Sequence, residues 1–495
     1  MKPLSLSPLS DRLRDAYDPD RFERVSHEAV ADLGNHLRQT QSRLASSSYP
    51  APSPEEERAH WRTRMEQPSN VGDLHREVVA RSNHLHDPRY LGHQVAAILP
   101  ETAATGMVTD LLNNGQAIYE MGPSNAVHEE MLMNELGQVL GLPDSCGGIL
   151  CHGGTLGNLV ALMAAQRHLA LELEVDSWKD GIRAFDRPLV VLVSERAHYC
   201  IDRAMRVLGW GAAGTVLVAS DDRHRMDVSA LKLALEECDK NGKQVMAIVG
   251  SAGTTSSGAF DPLEEVAEVC SANGIWFHVD GAHGAAAAFS ATHESQLNGL
   301  GNADSVVMDF HKVCGLPALC TGVFYKDVAK SYLPFSQQAE YLWESASDLD
   351  WWDTGKRTLE CTKRMLSTKI AAVRAEYGWD IFGELVDRLW ELGRVLASHV
   401  ECRSDWELAM SPEANIVCFR PASRNGIAEA DWNGVVRALR KAHLSSGSSY
   451  VVQTEFDGKV WLRCTVMNPL TEEADFVQML DEFENLLPSV LQGEA

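Results

Sequence analysis

The chain has 495 residues, 45% of them apolar, which is enough for a large core and, by length, for about three domains. Its 44 basic and 69 acidic residues leave a formal charge of −25, which disfavours nucleic acid and anionic membrane surfaces as partners. The 11 cysteines are scattered without a C-x-x-C pair, and no signal-peptide or membrane-spanning apolar run is read, so a reducing, cytoplasmic location is expected.

Residues 1–85 read as a polar N-terminal arm, helical in patches and broken at Ser46-Ser-Ser-Tyr-Pro-Ala-Pro-Ser53. Its apolar positions are too few for a core of its own, so it is expected to pack on another surface, such as a partner subunit. From 86 to 375 short β-rich runs alternate with helical patterns. Leu189–Ser194, Thr215–Ala219 and Val245–Val249 read as strands. Val228–Asp239 has helical spacing, and a further helix over Leu263–Asn273 ends at Gly274. Continuous apolar strands separated by helices predict a mainly parallel sheet covered on both faces, hence an α/β domain. Residues 376–495 read as a small α+β domain. It contains a helix over Asp380–His399, a strand over Ala414–Phe419, a hairpin turning at Asp457-Gly458, and a last helix over about Glu472–Leu487.

Two strands of the large domain carry the chemistry. Ile275–Val279 is followed by Asp280, and Asp304–Asp309 is followed by His311 and Lys312. Ligands of parallel sheets bind beyond the carboxyl ends of the strands, where both Asp280 and Lys312 fall. A carboxylate there can hold a proton on a pyridine nitrogen, and a lysine in apolar company can form an imine with an aldehyde. Those are the two groups that a pyridoxal 5'-phosphate enzyme needs most. Gly153-Gly154-Thr155-Leu-Gly157-Asn158 opens a helix whose free amides suit a phosphate. Gly253-Thr254-Thr255 is a second candidate donor group, and Ser305 and His311 are further candidates for the phosphate. His198, just after a strand, can stack on a pyridine ring. Gly209-Trp-Gly211-Ala-Ala-Gly214 matches a dinucleotide fingerprint but follows a helix and precedes a strand, so it is read as a loop. No metal ligands are assigned.

From about residue 83 to the C-terminus the chain resembles the group II pyridoxal-phosphate-dependent amino-acid decarboxylases, which include glutamate, cysteine-sulfinate and aromatic-amino-acid decarboxylases. The likeness runs in order through His86-Asp-Pro-Arg-Tyr90, Tyr119-Glu-Met-Gly-Pro123 with Glu129, Gly153–Asn158, His278-Val-Asp-Gly-Ala282 and His311-Lys312. It continues through Tyr341-Leu-Trp, Asp353-Thr-Gly355 with Cys361, and Leu462-Arg463 before Asn468-Pro469. The resemblance implies a fold type I architecture, with a seven-stranded large domain, a small C-terminal domain and an N-terminal swapping segment. It also implies a homodimer with active sites at the interface.

Carried over by position, Lys312 is the Schiff-base lysine and Asp280 the partner of the pyridine nitrogen. Ala282 packs on the ring face opposite His198, and Gly154, Thr155, Ser305 and His311 bind the phosphate. Thr254 is a candidate for the ring-hydroxyl region, Arg463 holds the substrate carboxylate, and Tyr341 is the mobile-loop tyrosine that protonates the substrate carbanion. The aromatic-substrate members carry Trp after the lysine, where this chain has Val313. The Tyr-Glu-x-x-Pro, Tyr-Leu and Asp-Thr-Gly segments look more like the acidic-substrate branch, although Gly92-His93 departs from it. A small acidic or polar L-amino acid is therefore expected as substrate. Oxidative deamination to an aldehyde, another fold type I reaction such as aldol cleavage or carbon–carbon bond formation, and a non-catalytic homologue stand behind decarboxylation.

Overall fold

The computed structural model of the protein describes residues 8–45, 47–50, 52–66, 70–335, 350–423 and 427–493. The chain divides into two compact units, one of 1–91, 438–451 and 470–495, the other of 92–437 and 452–469. This differs from the sequence-based boundaries.

The larger unit is built on a seven-stranded sheet: β1 (Gly147–Cys151), β2 (Leu189–Ser194), β3 (Thr215–Val218), β4 (Gln244–Ser251), β5 (Trp276–Asp280), β6 (Ser305–Asp309) and β7 (Thr321–Tyr325), in the order β1-β7-β6-β5-β4-β2-β3. The run from β6 to β3 is parallel, and β7 is antiparallel to both its neighbours. The chemistry of the connections explains the mixture. Helices Val228–Lys240 and Leu263–Asn273 provide crossovers long enough to return the chain parallel. The segment between β6 and β7, which carries Lys312, is too short for one, so the chain comes back antiparallel. Every residue of β1, β2, β6 and β7 is buried, as expected of strands covered on both faces. The glycine-rich stretch 209–214 forms a loop with one 3-10 turn before β3, as its order with respect to helix and strand predicts.

A second sheet in the same unit is antiparallel: β8 (Trp406–Leu408), β9 (Ile416–Pro421), β10 (Val452–Phe456) and β11 (Lys459–Thr465), in the order β10-β11-β9-β8. Asp457 and Gly458 both take positive φ, 54° and 69°, the backbone of a tight two-residue hairpin turn. This sheet is tied to the loops after β4. Cys418 Sγ donates to the Ser256 carbonyl, Arg463 Nη1 to the Thr255 carbonyl, and Phe260 N–H to the Glu413 carboxylate. Those bonds join the small sheet to the loops at the carboxyl end of β4.

The other unit contains helices Asp11–Ala16, Pro19–Gln41, Pro54–Glu66 and Val71–Arg81 and the C-terminal helix Glu473–Gln492, which runs through Pro488. Arg43 donates twice to Asp475 at the start of that last helix, at 2.7 and 2.8 Å. No helix among the described residues is long and apolar enough to cross a membrane.

Candidate active site

The carboxyl ends of β4, β5 and β6 end side by side, with Ser251 opposite Asp280 and Asp280 opposite Val307. The residues just beyond them enclose a cavity of about 330 Å³, at the small end of the usual range for ligand sites. It is lined by Gly153–Thr155 and Asn158 from the loop and helix after β1, His198–Cys200 after β2, Gly253–Thr255 after β4, Asp280, Ala282 and His283 after β5, and Asp309, His311 and Lys312 after β6.

Lys312 lies three residues past the end of β6, with Nζ 3.0 Å from the Asp309 carboxylate. Asp309 is itself buried, accepts a short hydrogen bond from Thr321 Oγ1, and lies 3.7 Å from His311 Nε2. Asp280 ends β5. Its Oδ2 accepts from Asn158 Nδ2 at 3.0 Å, and its Oδ1 from the Ala282 backbone N–H at 3.2 Å. The Cys200 thiol, pushed up to about 12 chiefly by burial, is protonated and lies 4.0 Å from the same Oδ2.

His198 Nδ1 accepts the Cys200 backbone N–H at 3.3 Å, which leaves the ring proton on Nε2. Burial lowers its basicity, with Lys312 and Arg203 adding to the effect against Asp280 and Asp309, so the imidazole is neutral at pH 7. Asn415 Nδ2 donates to the Val466 carbonyl, so its Oδ1 faces His283 Nε2 at 2.7 Å. His283 Nδ1 is buried and has no partner among the described residues.

Gly153 has φ +105° and ψ 148°, a conformation restricted to glycine, and caps the helix Gly154–Glu172. A side chain at Gly154 would meet the Asp309 oxygens at 3.0 and 3.1 Å and the Ala282 methyl at 3.3 Å. Gly154, lacking a side chain, lets the Asp309 carboxylate and the Ala282 methyl pack against the helix start, and the free backbone amides there form a glycine cradle suited to a phosphate.

The pyridoxal-dependent decarboxylase conserved domain matches residues 54–422, most of the chain. The chain belongs to the pyridoxal-dependent decarboxylase family. It is 29% identical over 421 residues to mouse (Mus musculus) cysteine sulfinic acid decarboxylase, covering 83% of this chain and 84% of the relative. It is 31% identical over 383 residues to L-2,4-diaminobutyrate decarboxylase of Rhizobium meliloti (strain 1021), covering 77% and 74%. The crystal structure of mouse CSAD in apo form superposes with a TM-score of 0.87 at 25% identity, over 95% of this chain and 99% of that one. The fold is thus type I, the cofactor is pyridoxal 5'-phosphate, and the decarboxylase is a carboxy-lyase.

The decarboxylase's residues fit that cofactor. Lys312, Asp280, Ala282, His198, Gly154, Thr155, Thr254 and His311 all line one cavity. Thr254 Oγ1 pairs with Ser257 Oγ at 2.8 Å. Arg463 lies behind the wall, where its Nη1 holds the Thr255 carbonyl and its buried Nε has no partner among the described residues. Tyr341 lies outside the described residues.

Ser305 does not fit its expected role. It opens β6 at the end opposite Asp309, is wholly buried, and its hydroxyl is engaged by Trp276 and His278. Four residues of strand, about 13 Å, separate it from the phosphate cradle. Asp309, Asn158 and His278 were missed as site residues. Asn158 and His278 stood inside motifs already singled out, and Asp309 is three residues before the lysine.

Proposed function

We propose that the decarboxylase removes CO2 from a small acidic or polar L-amino acid and works as a homodimer. The observation that carries the site assignment is that Lys312 and Asp280 open into the same cavity as the glycine cradle. Pyridoxal phosphate supplies an electron sink for the bonding pair released as the carboxylate departs. Lys312 is the covalent anchor. Asp309, 3.0 Å from Nζ, is the neighbouring carboxylate that orients it. Asp280 accepts from Asn158 and Ala282 N–H, so as a carboxylate it is left to accept one more donor, a protonated ring nitrogen.

His198 and Ala282 cover the two ring faces, and Gly154, Thr155 and His311 receive the phosphate, with Thr254 near the ring hydroxyl. Arg463, behind the Thr255 wall with a buried Nε that has no partner among the described residues, is assigned the substrate carboxylate as the family resemblance implies. Tyr341 delivers the proton that replaces CO2. The relatives named for cysteine sulfinate and diaminobutyrate support a small polar substrate. Exposed Leu13, Phe22, Val30 and Leu33 on the N-terminal helices support a second copy as their cover.

The test is a CO2-release assay across the common amino acids, cysteine sulfinate and 2,4-diaminobutyrate. Amine and hydrogen peroxide are measured in parallel to separate decarboxylation from aldehyde formation. Acidic or polar substrates are expected to release CO2 with equimolar amine. Release from aromatic amino acids alone overturns the substrate class. Lys312→Ala is expected to abolish release and the near-visible absorbance of bound cofactor. Sedimentation at a monomer's mass would overturn the dimer.

A further inference from the structure

We infer that Trp276, Ser305, His278 and Asn158 form a one-way chain of hydrogen bonds that aims the Asp280 carboxylate at the cofactor, making them positioning residues. The inference rests on the assignment of Asp280 proposed above. Trp276, His278 and Asp280 alternate along β5, so their side chains share one face of the strand. Ser305 stands directly opposite His278 in the register of β5 and β6. Asn158 comes from the first turns of the helix Gly154–Glu172. The four bonds are Trp276 Nε1 to Ser305 Oγ at 2.9 Å, Ser305 Oγ to His278 Nδ1 at 2.9 Å, His278 Nε2 to Asn158 Oδ1 at 2.8 Å, and Asn158 Nδ2 to Asp280 Oδ2 at 3.0 Å.

The direction of each bond is forced by chemistry. An ionised carboxylate only accepts, so Asn158 presents its amide protons to Asp280 and its carbonyl to His278. His278 must then carry its proton on Nε2. The opposite tautomer would set two lone pairs against each other at 2.8 Å. Nδ1 is left as an acceptor, which the Ser305 hydroxyl satisfies. The Ser305 oxygen in turn accepts from the indole N–H, which can only donate. The second Asn158 amide proton goes to Cys200 Sγ at 3.2 Å.

Each of these four side chains is nearly or wholly buried, so water does not compete for the bonds. Burial pulls His278 down to about 4 even though Asp280 and the Ser305 backbone act the other way. The imidazole is thus neutral at working pH, and the only fixed charge in the chain is the carboxylate at its end. With Asn158 on one oxygen and the Ala282 N–H on the other, the plane of Asp280 cannot turn freely.

The tautomer decides the relay and is read in the unsubstituted protein. Full-length protein labelled with ring-15N histidine and freed of cofactor is examined by long-range 1H–15N correlation. The His278 signal is assigned by its loss in His278→Gln. A protonated Nε2 with a bare Nδ1 at pH 7 is the expected result. A protonated Nδ1, or a charged ring, overturns the relay.

The positioning role is read on the bound cofactor, by its affinity and by the pH midpoint of its near-visible absorbance. His278→Gln keeps a donor and an acceptor and is expected to hold both values close to wild type. His278→Leu interrupts the chain and is expected to weaken cofactor binding by about tenfold or more, the usual scale for an outer partner of a bound group, and to move the midpoint. Wild-type affinity and midpoint in His278→Leu overturn the positioning role. Asp280→Asn, measured alongside, separates the two claims. If it too leaves binding unchanged, the assignment of Asp280 fails, while the tautomer still decides the relay.

Discussion

Replacing Lys363 with methionine probes how the phosphate cradle is held. Lys363 and Glu129 form an ion pair with both side chains wholly buried. Nζ also donates to the Leu150 carbonyl at 2.7 Å, and Glu129 accepts the Leu150 N–H at 3.0 Å and Gln116 Nε2 at 2.7 Å. Among the described residues β1 is an edge strand paired only with β7. The pair therefore plugs the polar backbone groups of Leu150, three residues before Gly153. An intact buried pair adds little stability, because desolvation offsets the attraction. Removing one partner strands the other charge, at a cost of about 3–5 kcal/mol. The freed Leu150 carbonyl adds about 1 kcal/mol.

Lys363→Met is thus expected to lower the unfolding free energy by about 4–6 kcal/mol in guanidinium titrations of the cofactor-free protein, with weaker cofactor binding. Lys363→Met/Glu129→Gln removes both charges. The glutamine carbonyl still accepts the Leu150 N–H, and with no charge left stranded at least half of the loss should return. A single variant losing less than about 1 kcal/mol, the scale of an ordinary surface change, would refute this account, as would a double variant no better than the single one.

Lowering the pH from 7 to 4 should destabilise the decarboxylase. His278 and His283 are held by burial at about 4 and about 3, below their ordinary 6.5, so the unfolded chain binds more protons and their contribution, complete above pH 6.5, is lost as pH falls through the folded values. Asp261, raised by burial to about 6, works in the opposite sense, and the three together predict a net loss of about 4 kcal/mol between pH 7 and 4, read as a falling denaturation midpoint in guanidinium. Gly153→Ala should cost about 1–3 kcal/mol, because alanine does not tolerate its φ of +105°, and should weaken cofactor binding in absorbance titrations. Asp309→Asn keeps a partner for Thr321 but removes the charge beside Lys312. Stability should change little, while the rate at which added cofactor develops its absorbance should change several-fold, and an unchanged rate would remove Asp309 from the attachment step.

What the sequence made legible is what a strand encodes locally. Asp280 and Lys312 each follow a short apolar run, and the rule that parallel sheets bind at their carboxyl ends brings the two together without knowledge of the register. The same rule, applied strictly, excludes Ser305. A residue that begins the strand ending at Asp309 must lie at the far end of the sheet from the site. What the hydroxyl does there depends on β5 and β6 being neighbours in register, which no local pattern specifies. Asn158 with Asp280, Glu129 with Lys363 and Arg463 with Thr255 are likewise contacts between segments more than a hundred residues apart. They share one physical feature. Each satisfies a polar group that the parallel architecture buries or leaves at an edge: a carboxylate at a strand end, the open side of β1, a carbonyl in the loop after β4. A buried polar group without a partner costs more than the hydrogen bond itself returns. Strand order therefore dictates where such partners are needed. The residues that sequence motifs assign to the site are those at the strand ends, and their hydrogen-bond partners become visible only once the sheet is assembled.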